Sequence, residues 1–202
     1  MSIIRQKYKF DRTIGANLFG RKKSPIFKRN YRPGQHGNSK MKRKISEFGE
    51  KVLEAKKVKL FYGGLRYKDL RRIVLEGINS KGNSTDNIVK ILESRLASVI
   101  YRAKFGATPF ASKQMVNHGH VCVNGQKVDI PSYRVSVGDK ITLSKEMFNN
   151  SHVKAAIASD ERELPVYLTV KNEEIIFTEA NINNTKFPIP MEFIKLIEFF
   201  NR

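Results

Sequence analysis

Apolar residues in this chain follow helical spacing through its first half and alternate beyond that. From Ser46 the spacing predicts a helix with Phe48, Val52, Ala55 and Lys59 on one stripe, closed by Leu60 and Phe61 and ended by Gly63-Gly64. Leu65 to Gly77 predicts a second helix, with Leu70, Ile73 and Val74 inward and Arg66, Lys68, Arg71 and Arg72 outward. In the loop "NSKGNSTDN", Ser84, Thr85 or Asp86 can cap the next helix by accepting backbone N–H bonds. Leu92, Leu96, Val99, Ile100 and Ala103 then recur at i, i+4, i+7, i+8 and i+11, which predicts one continuous helix broken at Gly106. Thr108-Pro109 supplies a cap and a first helical residue, and Gly119 suits a left-handed C-terminal position.

After Gly119 the period changes to two. Val121, Val123 and Val128 flank Asn124-Gly125, the pair favoured in two-residue hairpin turns. "VSVGDKITL" predicts a further strand after a Gly-Asp turn. Residues 151–163 predict a helix, 166–170 and 174–178 a short strand pair, and 190–201 a closing helix with Phe193, Ile194, Ile197 and Phe199 or Phe200 on its apolar side. Residues 1–44 show no clear periodicity, so they are expected to wrap a partner and to be loosely ordered alone. The fold class is α+β: a basic arm (1–44), a helical domain (45–90), an inserted small α/β domain (91–150), and a C-terminal segment (151–202) packing back on the helical domain.

Charge sharpens this picture. The chain has 38 Lys and Arg against 19 Asp and Glu, a net +19. Residues 1–44 hold 14 of those cations and one acid, whereas residues 151–202 hold six cations and eight acids. Such a chain is drawn to polyanions, nucleic acid first. No apolar run approaches the ~20 residues of a spanning helix, and the start lacks the apolar core of a secretory signal. An Arg-rich, acid-poor start is compatible with a transit peptide, but a Pro-Gly-x-His-Gly turn is foreign to one, so a cytoplasmic location is expected over an organellar one. A single cysteine, Cys122, permits no internal disulfide.

Chemistry-bearing motifs are few. "RPGQHGNSKMKRK", Arg32 to Lys44, has five cations, two glycines and a proline but no acid. It suits neither a core nor a helix start. Its glycines allow close approach to a phosphate, and Arg32, Lys40, Lys42, Arg43 and Lys44, with Gln35 and His36 in the turn, can neutralise or hydrogen-bond a nucleic-acid backbone. The competing reading is a solvated charged loop. His118, His120 and Cys122 straddle a helix end and a strand, a spacing poorly suited to a shared metal, so no metal is expected. No phosphate-binding loop, nucleophile elbow or metal cluster supports catalysis.

The unit from Leu92 to Leu143, with "QMVNHGHVCVNG" at its centre, resembles the small RNA-binding fold named after ribosomal protein S-four. Beyond it, "PGQHG", "KGNSTDNIVKILESRLASVIYR", "FGAT" and "VNGQKVDIPSY" resemble the bacterial-type S-four family of the small ribosomal subunit over nearly the whole chain. The resemblance implies a non-enzymatic constituent of cytoplasmic ribosomes that binds the 5′ domain of 16S rRNA early in assembly. It also implies a place beside ribosomal proteins S-three and S-five, near the channel through which mRNA enters, an effect on translational accuracy, and possible repression of its own mRNA. Many members hold zinc on cysteines before the Pro-Gly-x-His-Gly turn; residues 1–31 here contain neither Cys nor His, so a zinc-free, cofactor-free member is expected.

Through the same resemblance, Arg95, Lys104, Lys113, Gln114, His118, His120, Asn124, Lys127 and Arg134 fall on the RNA-facing side, joined by outward Arg66, Arg71 and Arg72. Glu192 and Glu198 are expected to meet a basic protein neighbour. Two alternatives stay open: an RNA-modifying enzyme carrying the same small fold, and a free RNA-binding regulator.

Overall fold

The structure is a computed structural model that describes residues 9–20, 23–38, 45–159, 162–171, 174–178 and 185–201. Helices and an antiparallel sheet are both present, so the class is α+β. The chain divides into two compact units, Met1–Arg66 with Phe187–Arg202, and Tyr67–Lys186, the second inserted in the first along the sequence.

In the first unit, helix α1 (Lys9–Ile14) and a 3-10 turn (Pro25–Phe27) sit close together. Non-periodic residues hold them. The buried Asp11 carboxylate accepts from Ser24 Oγ (2.5 Å) and from the Leu18 amide (3.3 Å), and its carbonyl accepts from the Gly15 and Ala16 amides. Leu18, Phe19 and Ile26 are buried. Polar bonds around Asp11 close the turns of the described arm, which no hydrophobic period could announce.

Helix α2 (Glu47–Phe61) starts at Ser46, whose side chain accepts from the Gly49 amide, and ends where Gly63 and Gly64 take positive φ. It packs on α9 (Phe193–Phe200). The buried face matches the expected stripe at Ala55, Leu60 and Phe61 but not at Phe48, Val52 or Lys59. Glu54, Ala55, Val58, Leu60 and Phe61 are buried, while Phe48 is half exposed and meets Phe199 (centroids 6.0 Å apart). Glu54 tolerates burial because Lys57 pairs with it and the Glu192 amide, at the start of α9, donates to it (3.3 Å). On α9, Phe193 and Phe200 are buried as expected, Leu196 is fully buried with them, and Ile194 is exposed against expectation.

In the second unit, α3 (Tyr67–Asn79) and α4 (Ser84–Glu93) form a tight pair. A Cβ on Gly77 would come within 2.5 Å of Ile88 Cγ1, so this close approach requires glycine. Asn83, rather than Ser84, Thr85 or Asp86, caps α4, by accepting from the Thr85 amide. The expected long helix is two, α4 and α5 (Leu96–Arg102), because Arg95 adopts an extended conformation (φ −69°, ψ 134°).

Helix α6 (Pro109–Asn117) starts on Thr108 as the sequence predicts. Strands β1 (Val121–Val123) and β2 (Gln126–Lys127) make the hairpin, with Asn124 at φ 50° and Gly125 at φ 81°. Strand β3 (Lys140–Leu143) pairs with β1. Residues 145–157 form two short helices, α7 (Lys145–Phe148) and α8 (Ser151–Ile157), broken where Asn150 caps the second. Strands β4 (Leu168–Lys171) and β5 (Glu174–Phe177) then join the same antiparallel sheet, in the order β2-β1-β3-β5-β4, with Ile141 opposite Ile175.

Candidate nucleic-acid interface

The break at Arg95 creates the most organised cationic site of the second unit. Residues 131–135 lie in it. The Leu96 amide donates to the Tyr133 carbonyl (2.8 Å), Ala97 to Pro131 (3.3 Å), and Val135 to the Ser94 carbonyl (2.8 Å); Arg95 and Arg134 form a β-bridge. The first amides of α5, which have no partner inside the helix, thus find carbonyls in the docked segment.

Arg95 and Arg134 belong to this frame, and the charge of Arg72 on α3 reaches it. Arg134 forks onto Glu76 of α3, Nη1 to Oε1 and Nη2 to Oε2, both at 2.5 Å. That bond holds the Glu76 carboxyl below the usual carboxylate range and raises the Arg134 pKa. Burial lowers the Arg95 pKa; Asp69 opposes this, and the charges of Arg72 and Arg134 reinforce it. Arginine stays charged regardless. A partly desolvated guanidinium beside two others gains most from an anion that can take forked hydrogen bonds, as a phosphate does.

The end of α6 and the hairpin bring other expected residues together. Gly119 (φ 68°) ends the helix, and the Lys127 side chain crosses it so closely that a Cβ there would meet Cε at 2.1 Å. The His118 and His120 rings stand 6.2 Å apart, His118 exposed and His120 half-buried. Gln114 is exposed and Lys113 half-buried on α6. Asn124 serves the turn: its Nδ2 donates to Asp139 Oδ1 (2.8 Å) and its Oδ1 accepts from the Lys140 amide (2.9 Å). Lys104, half-buried at φ 67°, donates to the Ser159 carbonyl (3.5 Å). Arg71 and Arg72 are exposed on α3.

The first unit carries the remainder. Arg32, Gln35 and His36 are exposed on the glycine turn, where Gly34 has φ 111° and a Cβ on Gly37 would strike the Arg32 carbonyl at 1.7 Å. Arg12 braces this turn by donating to the carbonyls of Tyr31 (3.0 Å) and Arg32 (3.3 Å). Lys40, Lys42, Arg43 and Lys44 lie outside the described residues. Arg66 is exposed. A zinc ion fits nothing in the described arm, whose donors around Asp11 are a carboxylate, a hydroxyl and amides rather than thiolates or imidazoles. Glu198 pairs with Lys51 (2.9 Å) and Glu192 with Lys195 (3.0 Å), both glutamates exposed.

Sequence reasoning missed Asp69 and Glu76. Their signal was available: with Arg72 they stand at i, i+3 and i+7 on one face of α3, acids on either side of a cation.

The family model described as "Ribosomal protein S4/S9 N-terminal domain" matches residues 3–93, and that of the "S4 domain" matches residues 94–141. The chain is 43% identical over 199 residues to small ribosomal subunit protein uS4 of Rhodospirillum centenum, covering 97% of each chain. It is 44% identical over 197 residues to the proteins of that name from Phenylobacterium zucineum and Caulobacter vibrioides, covering 96% of each chain. Matches of this identity over nearly full length leave one conclusion: the chain belongs to the bacterial ribosomal protein S4 family, a family of ribosomal constituents rather than enzymes.

Proposed function

We propose that this chain binds the 5′ domain of 16S rRNA early in assembly of the small subunit. The observation that carries the reading is that Arg95 and Arg134 stand side by side on a frame fixed by backbone hydrogen bonds. RNA helices are recognised largely through shape, phosphate and 2′-OH groups, which rigidly placed guanidiniums suit. The test is a filter-binding titration of the full chain against isolated 5′-domain RNA. With roughly six to ten phosphates neutralised, log K should fall with log[salt] at a slope of about −4 to −9. A slope near zero overturns the electrostatic footprint.

The finer reading adds ribosomal proteins S-three and S-five as neighbours, a place near the channel through which mRNA enters, and repression of its own mRNA. The C-terminal segment, acidic where the arm is basic, acts through protein contact on translational accuracy. The Glu192 and Glu198 carboxylates are about half exposed in their intrachain pairs, although Lys51, the partner of Glu198, is largely covered, and so both can reach a basic partner. A contact weakened by about 1.4 kcal/mol shifts a two-state equilibrium tenfold. Charge reversal at both glutamates should therefore raise misreading in a near-cognate reporter and leave 5′-domain affinity unchanged. Affinity collapsing in step with accuracy would rule this out. Cofractionation with ribosomal subunits separates this reading from that of a free RNA-binding regulator.

A further inference from the structure

An exposed acid that holds an arginine of the proposed interface needs a reason. Glu76 repels phosphates, and it removes one of the charges that would attract them. Its pair with Arg134 is solvent-exposed on both sides, 38% and 51% for the two side chains, so its contribution to stability is small. Nor is it required to dock residues 131–135, because three backbone hydrogen bonds, two of which make up the Arg95–Arg134 bridge, already do so. What the pair does fix is direction. Both carboxylate oxygens take both terminal nitrogens of Arg134, leaving one orientation for that guanidinium beside Arg95.

We propose that Glu76 is a specificity-determining residue of the RNA interface: it aims Arg134 along the docked frame, so that this face selects a folded RNA over any phosphate-rich strand. The proposal rests on the RNA-binding reading. A flexible cation follows whatever phosphate arrives. A guanidinium held at two points meets only a backbone of matching geometry, and Glu76 penalises backbones that pass too close. Complementarity of this kind contributes more to discrimination than to affinity.

The experiment compares the full-length wild type with Glu76→Gln and Arg134→Lys in filter binding at one salt concentration. One probe is a 5′-domain transcript of small-subunit rRNA, the other poly(U) of equal length. Glu76→Gln keeps the side chain's size but replaces one acceptor with a donor that cannot face Arg134. It should tighten poly(U) binding about two- to threefold and weaken transcript binding, so that the transcript-to-poly(U) preference falls about tenfold. Arg134→Lys keeps the charge but not the fork, and should lower the preference similarly without tightening poly(U). Thermal melts accompany each variant, and the midpoint should stay within a few degrees of wild type. If both RNAs gain equally with Glu76→Gln, the residue merely subtracts charge and the proposal is overturned. A midpoint that drops steeply while the preference is kept makes the pair structural and overturns it too. A wild type without preference for the transcript overturns the RNA reading itself, whereas a wild-type preference that both variants retain overturns only the role of Glu76.

Discussion

Two glutamate–arginine pairs flank the same helix break and behave as different devices. Glu93, the last residue of α4, is fully buried and takes both Nε (3.0 Å) and Nη2 (2.7 Å) of Arg102; the Tyr167 hydroxyl adds a third bond (2.7 Å), and Arg102 Nη1 reaches the Lys186 carbonyl (3.1 Å). Glu76 and Arg134 make an equally forked pair in solvent. Burial makes the first pair obligatory, because either partner left alone is an uncompensated charge in a poor solvent for charge. The second is optional for folding, since water can replace either partner. The same chemistry is locked into the core in one place and held in solvent in the other; accessibility decides which.

The comparison breaks most sharply at Glu93. Glu93→Ala leaves Arg102 and the Tyr167 hydroxyl without their shared acceptor and should cost about 3–5 kcal/mol in urea denaturation; a cost below about 1 kcal/mol would mean that water replaces the carboxylate. Next comes Gly119→Ala. Its left-handed φ of 68° should cost about 1–2 kcal/mol, and its methyl must displace Lys127, so rRNA affinity should change along with the melting point. An unchanged affinity would show that Lys127 does not touch RNA from this position. Glu76→Ala should cost about 0–1 kcal/mol, with the difference shrinking at high salt, whereas that of Glu93→Ala should persist.

The smallest effect is in pH. The Glu76 carboxyl is held below its ordinary value by Arg134, so the pair's contribution is fully present above the unfolded carboxylate pKa and is lost as pH falls through the depressed folded value. The stability difference between wild type and Glu76→Gln should be flat at neutral pH and close in acid. A difference that opens in acid would reverse the sign of the linkage.

Much of the fold was legible. Thr108-Pro109 announced α6, Asn124-Gly125 announced the hairpin, and the alternation after Gly138 announced β3, because capping, turn and strand signals are local. The break at Arg95 was not. Leu92, Leu96, Val99 and Ile100 keep helical spacing across it, and all four are buried on either side. Only residues 131–135, distant in sequence, supply the carbonyls that make an extended Arg95 favourable. For the same reason, Arg95 and Arg134 were legible as cations, while the bridge that joins them and the pairing of Arg134 with Glu76 were not.

The sequence by itself determined the kind of partner, since the charge of the arm and the glycine turn that presents Arg32 are properties of composition and local backbone freedom. It determined the family as well, through motifs that stay in order along the chain. Tertiary structure alone decided that Asp11 organises the arm, that β4 and β5 extend the hairpin's sheet, and which acid meets which arginine. Those outcomes depend on pairs distant in sequence, 58 residues apart for Arg134 and Glu76, where burial rather than residue type fixes what each interaction is worth.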